Sequence, residues 1–282
     1  MCTTLCDNDS FETMMQFTSR SCCLMFAYGN PPTASRRPEL LSERHNFIRK
    51  ELSVFLGELT GTFMFLSMGF AGTQLANESA ARSNPLLPAG ATSSTLPDLT
   101  KLIYISFTFA TALTANAAIF SDISGAMFNP AVTAALWTVG QIRWVRALHS
   151  VFAQIIAGVM AAGLISVLFP GPLPVATSLD ASVSITRGLF VEMFFTSQLI
   201  LAVLMVPASP SKPMYIGATL FIIQLSSVFL TGGSVNPTRS FGPAVFVGFD
   251  TYHWIYWLGP MLGAGLGSGV FALINSVQDG KL

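Results

Sequence analysis

Two asparagine–proline pairs in apolar surroundings constrain this chain more than any other feature. One lies in the stretch Gly232-Gly233-Ser234-Val235-Asn236-Pro237-Thr238-Arg239-Ser240-Phe241-Gly242-Pro243, the other at Asn129-Pro130-Ala131. An asparagine side chain caps a helix by accepting from a free backbone N–H, and proline suits the first helical position, where its missing N–H has no partner anyway. Each pair therefore predicts a short helix, Pro130 to about Val139 and Pro237 to about Val247. Arg239 falls in the first turn of the second helix. A charge in such surroundings calls for an aqueous cavity or a partner such as Asp250.

The surroundings themselves point to a bilayer. Of 282 residues, 51% are hydrophobic and 10% charged, against roughly 25% charged in soluble domains. Mean hydropathy is +0.59 and the formal net charge is zero, a balance that excludes a nucleic-acid partner and predicts an integral membrane protein. Strands of a transmembrane barrel alternate in polarity, which these runs do not. Six spans are expected, at about Leu52–Leu75, Leu102–Phe120, Ala147–Phe169, Gly188–Val206, Met214–Leu230 and His253–Ser276. Residues 1–50 read as a mostly disordered cytoplasmic tail, 51–276 as the membrane body and 277–282 as a short cytoplasmic tail.

Basic residues near the N-terminus, at Arg143/Arg146 and at Lys212 place both termini in the cytoplasm by the positive-inside rule. The loops Asn77–Pro97 and Pro170–Thr186 are then external, and Asn77-Glu78-Ser79 forms a glycosylation sequon too close to the membrane for its use to be expected. Trp254, Tyr256 and Trp257 suit an interfacial belt. The polar, acidic N-terminus does not read as a cleavable signal peptide. Cys2, Cys6, Cys22 and Cys23 all precede the spans and show no zinc spacing, so no metal site and no cofactor is expected. Conduction through the membrane body should accordingly be insensitive to mercurials.

The order of features repeats. Each half, about 51–169 and 186–276, reads as a span with a glutamate, a span, an Asn-Pro half-helix and a third span. Glu58-Leu59-Thr60-Gly61-Thr62 answers Glu192-Met193-Phe194-Phe195-Thr196. Three spans per half invert the second half relative to the first, the arrangement of many transport proteins. Two half-helices entering from opposite faces then cross the bilayer together, with their N-termini meeting inside it. The fold class is all-α membrane protein, six transmembrane helices plus two re-entrant half-helices in an inverted 3+3 repeat.

This architecture, with both motifs, Arg239 and the two span glutamates, resembles the aquaporin (major intrinsic protein) family over roughly residues 50–276. The stretch Phe70-Ala71-Gly72-Thr73-Gln74 is similar to fungal water channels. The resemblance implies a pore junction at Asn129, Pro130, Ala131, Asn236, Pro237 and Thr238, and a selectivity filter at Phe109, Gln224, Gly233 and Arg239. Offset from the asparagines puts Phe109, Gln224 and Gly233 in those positions. Gln224 stands where orthodox water channels have His, which removes a titratable group. Thr238 replaces the usual Ala and would either narrow the pore or bond back to a carbonyl. Met127 stands where a His is frequent and makes the cytoplasmic vestibule more apolar.

Glu58 and Glu192 are expected to support the loops by accepting from backbone N–H groups before each half-helix. A proton-coupling role for them would need a titrating partner, and no intramembrane His or Lys lies near either. Gly57, Gly61, Gly158, Gly217 and Gly263 read as helix-crossing contacts.

The reading is a passive water channel of the orthodox branch that excludes protons and ions, with hydrogen peroxide as a candidate second solute. Ser240, Ala244 and Tyr256-Trp257 favour that branch over the glycerol facilitators, which typically carry Asp after the arginine. The alternatives are a broader facilitator for glycerol or peroxide, a poorly conducting homologue occluded by Thr238, and an ion-coupled transporter. The partners implied are water, small neutral solutes, the lipid bilayer of the plasma membrane and, by resemblance, three further copies in a homotetramer. No acid–base or nucleophile constellation suggests an enzyme.

Overall fold

The computed structural model describes residues 37–83 and 98–280, and these divide into a unit ending at Lys50 and a second unit, Glu51–Leu282. The four cysteines and most of the N-terminal tail lie outside the described residues. Among the described residues eight helices follow in order: α1 (Arg37–Ser83), α2 (Leu99–Ser124), α3 (Pro130–Thr138), α4 (Trp144–Leu168), α5 (Ile185–Met205), α6 (Lys212–Thr231), α7 (Pro237–Val247) and α8 (Ile255–Gln278). Six are long and apolar enough to cross a membrane, and the two short ones are the half-helices.

Two expectations need correction. Residues 37–50, assigned to a disordered tail, are helical as the start of α1. Its other end runs through Asn77 to Ser83, so the first part of the expected loop is helix as well. Polar residues continue a helix begun by an apolar run when no Gly or Pro interrupts them, and none does between Glu39 and Leu52 or between Leu75 and Ser83. Asn77 sits in that extension and donates from Nδ2 to the Pro174 carbonyl at 2.6 Å.

Local chemistry sets the other boundaries. Asp98 and Ser184 cap α2 and α5 by accepting from the N–H groups of Lys101 and Arg187. Gly125 and Gly232, at φ 94° and 77°, end α2 and α6 in the left-handed conformation that glycine adopts without a Cβ penalty.

Packing follows the repeat. α2 packs on α6 across the two halves, and α5 packs on α8 within the second. Each half-helix leans on the last span of the opposite half, α7 on α4 and α3 on α8. These crossings are close because small residues line them. A Cβ on Gly158 would strike the Thr238 methyl, one on Gly217 would strike the Thr114 hydroxyl, and one on Gly263 would lie 2.5 Å from the Met193 carbonyl oxygen. Gly57 and Gly61 of α1 meet Ser124 and Phe128 in the same way. The outer faces carry large exposed side chains such as Leu148, Phe152, Val167, Phe190 and Met214, as a lipid-facing surface must.

At one end of the bundle Glu51 collects three basic groups from the start of α4. Arg146 Nη2 lies 2.8 Å, His149 Nε2 2.8 Å and Arg143 Nη2 3.2 Å from its carboxylate. These residues tie α1 to α4.

Candidate functional site

Each half-helix begins as its sequence dictates. Asn129 has extended backbone and accepts from Ala131 N–H at 2.9 Å, and Asn236 accepts from Thr238 N–H at 3.0 Å. The residues just before them, Phe128 and Val235, are left-handed at φ 51° and 43°. That conformation is strained for a side-chain-bearing residue, and most for a β-branched one. It turns each preceding carbonyl across to the other half. Asn129 Nδ2 donates to Val235 O at 2.7 Å, and Asn236 Nδ2 donates to Phe128 O at 2.9 Å. The two caps thus complete each other, and each amide retains a second N–H.

The strained turns are held by the two span glutamates, both fully buried. Glu58 accepts from Met127 N–H at 3.0 Å, Phe128 N–H at 2.9 Å and Ser124 Oγ at 2.7 Å. Glu192 repeats the pattern with Ser234 N–H at 3.1 Å, Val235 N–H at 2.7 Å and Thr231 Oγ1 at 2.6 Å. Gln154 of α4 adds a fourth donor to Glu58, at 2.8 Å, and also donates to Thr133 of α3.

A cavity of about 730 Å³ runs past this junction, lined among others by Phe109, Met127, Asn129, Gln224, Asn236 and Arg239. Its far end reaches Gln141, Ser209 and Lys212. A second cavity of about 620 Å³, bordered by Lys101, Asp180, Asp250 and His253, shares Arg239 as its one lining residue in common with the first. Arg239 therefore stands between two aqueous-sized spaces. It is 3% exposed and donates from Nη1 to the Val175 carbonyl at 2.7 Å, while its guanidinium lies 5.2 Å from the Phe109 ring centre and 5.6 Å from that of Phe70. It forms no ion pair with Asp250 or any other described residue, and its buried Nε has no partner among the described residues.

Gln224 donates from Nε2 to the Gly233 carbonyl at 2.8 Å, which leaves its buried Oε1 without a protein partner. Gly233 is at φ 61°, and a Cβ there would collide with that same Oε1. Gly233 thus meets Gln224 through its backbone and does not itself line the cavity.

Four junction residues, Pro130, Ala131, Pro237 and Thr238, are buried and also do not line it. For Thr238 this corrects the sequence reading. Its methyl faces Gly158 of α4, and its hydroxyl neither narrows the cavity nor bonds to a carbonyl. The helical register of α7 points position 238 at the neighbouring span, which gives room for the larger side chain only because residue 158 is glycine.

At the edge of the second cavity, hydrogen bonds from the Ser182 hydroxyl and then its N–H hold the Asp180 carboxyl below its ordinary range. Burial beside Phe249 lowers the His253 imidazole from its usual 6.5, against the opposing pull of Asp250.

Sequence reasoning missed several participants. Ser124 and Thr231 stand at one common offset before the two asparagines and were legible from that repeat. The Val175, Phe128 and Val235 carbonyls carry no side-chain signal. Gln154 reads as any polar residue in a span.

A family model, "Major intrinsic protein", matches residues 43–271. Among curated relatives, Aquaporin-7 of Botryotinia fuckeliana is 43% identical over 83% of this chain and 52% of its own length. Aquaporin-2 of the same fungus is 42% identical over 81% of this chain and 60% of its own length. The chain thus spans little more than half of these relatives. It covers 85% of Probable aquaporin-3 of Gibberella zeae, at 42% identity over 87% of this chain. Among solved structures, the aquaglyceroporin from Plasmodium falciparum superposes with a TM-score of 0.63 at 22% identity, over 78% of this chain and 93% of that one, a likeness of fold.

Proposed function

The chain belongs to the major intrinsic protein family, whose members are membrane channels and not enzymes, and from that premise we propose that it is a passive, bidirectional water channel that excludes protons and ions. The observation that carries the reading is one cavity on which Phe109, Gln224, Arg239, Asn129 and Asn236 converge. Arg239 and Gln224 both line that cavity, so water passes the filter between a guanidinium that donates and an amide that offers donor and acceptor. The Phe109 ring supplies an apolar wall that limits solute size. At the junction, a water accepts from the second N–H of both asparagines and so turns its own hydrogens toward the two exits. That orientation interrupts a continuous proton wire. The positive ends of α3 and α7 meet at the same place, and together with Arg239 they repel cations.

Hydrogen peroxide, close to water in size and hydrogen bonding, fits the same donor–acceptor pair and is a second solute. The channel is placed in the plasma membrane as a homotetramer with both termini cytoplasmic. Arg143, Arg146 and Lys212, which lie at one side of the spans, support that orientation.

Stopped-flow light scattering on proteoliposomes tests the reading. Shrinkage in a sorbitol gradient should be fast, and re-swelling in a glycerol gradient slow. Rapid glycerol entry with slow water movement refutes water selectivity and favours a broader facilitator. A flux that follows an imposed voltage or pH gradient refutes passive conduction.

A further inference from the structure

The segment between α4 and α5, expected from the sequence as an external loop, supplies the carbonyl that Arg239 binds. Its proline residues make it unusual. Pro170, Pro172 and Pro174 have no N–H, so the segment cannot hold itself through a backbone ladder. Its carbonyls are taken by side chains instead. On one side, Gln74 Nε2 donates to Pro172 O at 3.0 Å and Asn77 Nδ2 to Pro174 O at 2.6 Å. On the other, Val175 O accepts from Arg239 at 2.7 Å, and Thr177 Oγ1 donates to Ser240 Oγ at 2.9 Å.

The segment is therefore a strap between α1 and α7. Gln74 is 1% exposed and is itself fixed by donating to Glu78 Oε1, one turn along α1, at 2.9 Å. Val175 is fully buried, so its carbonyl has no solvent alternative to Arg239. Among the described residues the guanidinium has one hydrogen bond, and it lies over two ring faces, neither of which fixes its rotation in plane. Whatever sets the place of Val175 O sets the direction of the free Nε.

We propose that Gln74 and Asn77 are positioning residues for the filter: by holding the Pro172 and Pro174 carbonyls they place Val175 O, and through it the Arg239 guanidinium, and so set the solute size limit of the pore. The inference rests on the channel reading above. It also gives a role to Gln74, which the junction and the filter leave without one.

The test is the ratio of glycerol to water permeability in proteoliposomes of the full chain carrying Gln74→Met and Asn77→Leu, which keep side-chain bulk and remove both donors. The pair is measured with Arg239 present and again in an Arg239→Val background. The expected result is a ratio raised at least threefold when Arg239 is present and unchanged by the pair when it is absent. A ratio equal to that of the unaltered chain overturns the inference, and so does an equal rise in both backgrounds, which would mean the strap acts on the pore without Arg239. If the double variant does not reconstitute, Asn77→Asp, which removes one donor with little change of shape, should still raise the ratio about twofold, and no change overturns the inference. An unaltered chain that passes no water defeats the proposed function and this inference with it. A conducting chain with unchanged ratios defeats the inference alone.

Discussion

Removing the Glu192 carboxylate should loosen the junction by an amount the hydrogen bonds allow us to work out. In Glu192→Ala, the Ser234 and Val235 N–H groups lose their acceptor inside a fully buried site, while the Thr231 hydroxyl can turn to the Ser227 carbonyl, 3.4 Å away. A buried donor left unsatisfied costs about 1–3 kcal/mol, so two cost about 2–6 kcal/mol. Relief from burying a carboxylate offsets part of this, leaving a net loss of roughly 2–4 kcal/mol. For a chain of this size that lowers the melting temperature by roughly 4–16 °C. Val235, no longer held at φ 43°, relaxes and withdraws the carbonyl that receives Asn129, so water permeability falls with stability. Glu192→Gln should lie between, because its amide oxygen keeps the Thr231 and Ser234 contacts and only Val235 faces a second donor. Glu58→Ala should cost at least as much as Glu192→Ala, since Gln154 loses its partner too. Tryptophan-fluorescence melting of detergent-purified protein and stopped-flow on matched proteoliposomes read both effects. A Glu192→Ala variant that melts within 2 °C of the unaltered chain (about 2 °C being the smallest shift a 1 kcal/mol loss gives) and conducts water normally would refute the reasoning.

Further outcomes follow from single contacts. Gly233→Ala must hold a left-handed backbone and displace Gln224 Oε1, so water permeability should fall at least fivefold (roughly 1 kcal/mol or more of added barrier) in the same flux assay. Thr238→Ala should leave water permeability within about twofold, because position 238 does not line the cavity, and a large gain would restore the occlusion reading. His253 is held below its usual 6.5 by burial, so the unfolded chain binds the proton more readily than the folded one. Its contribution to stability is present above pH 6.5 and is lost as pH falls from there toward the folded value, so melting temperature should drop over that window and His253→Gln should flatten the drop.

Much of this fold was legible because the bilayer makes the sequence signal blunt. Apolar runs placed the spans, and Asn-Pro with a following apolar stretch placed α3 and α7 to within a residue or so at either end. Glu58 and Glu192 were legible as loop supports because a carboxylate in a span needs donors and the repeat put each beside a loop. Less legible was anything decided by which way a helix faces. Thr238 was known to be next to the junction, but only the packing of α7 on Gly158 shows that it points away from the water. The length of α1 was missed because hydropathy finds the membrane-spanning part of a helix and not its polar ends. The strap at Pro170–Thr177 looked like a linker because its contribution is made of carbonyl oxygens, which every residue has.

The exchange of bonds between Asn129 and Val235, and between Asn236 and Phe128, has a consequence for how the chain is assembled. Each half brings its own glutamate to the strained turn, but the acceptor for its asparagine belongs to the other half. Neither half can close its own re-entrant loop. With the first three spans inserted and the rest still to come, Phe128 is held in a left-handed conformation whose carbonyl has nothing to receive. The junction can therefore close only when both halves are present, so the two three-span halves are coupled through it.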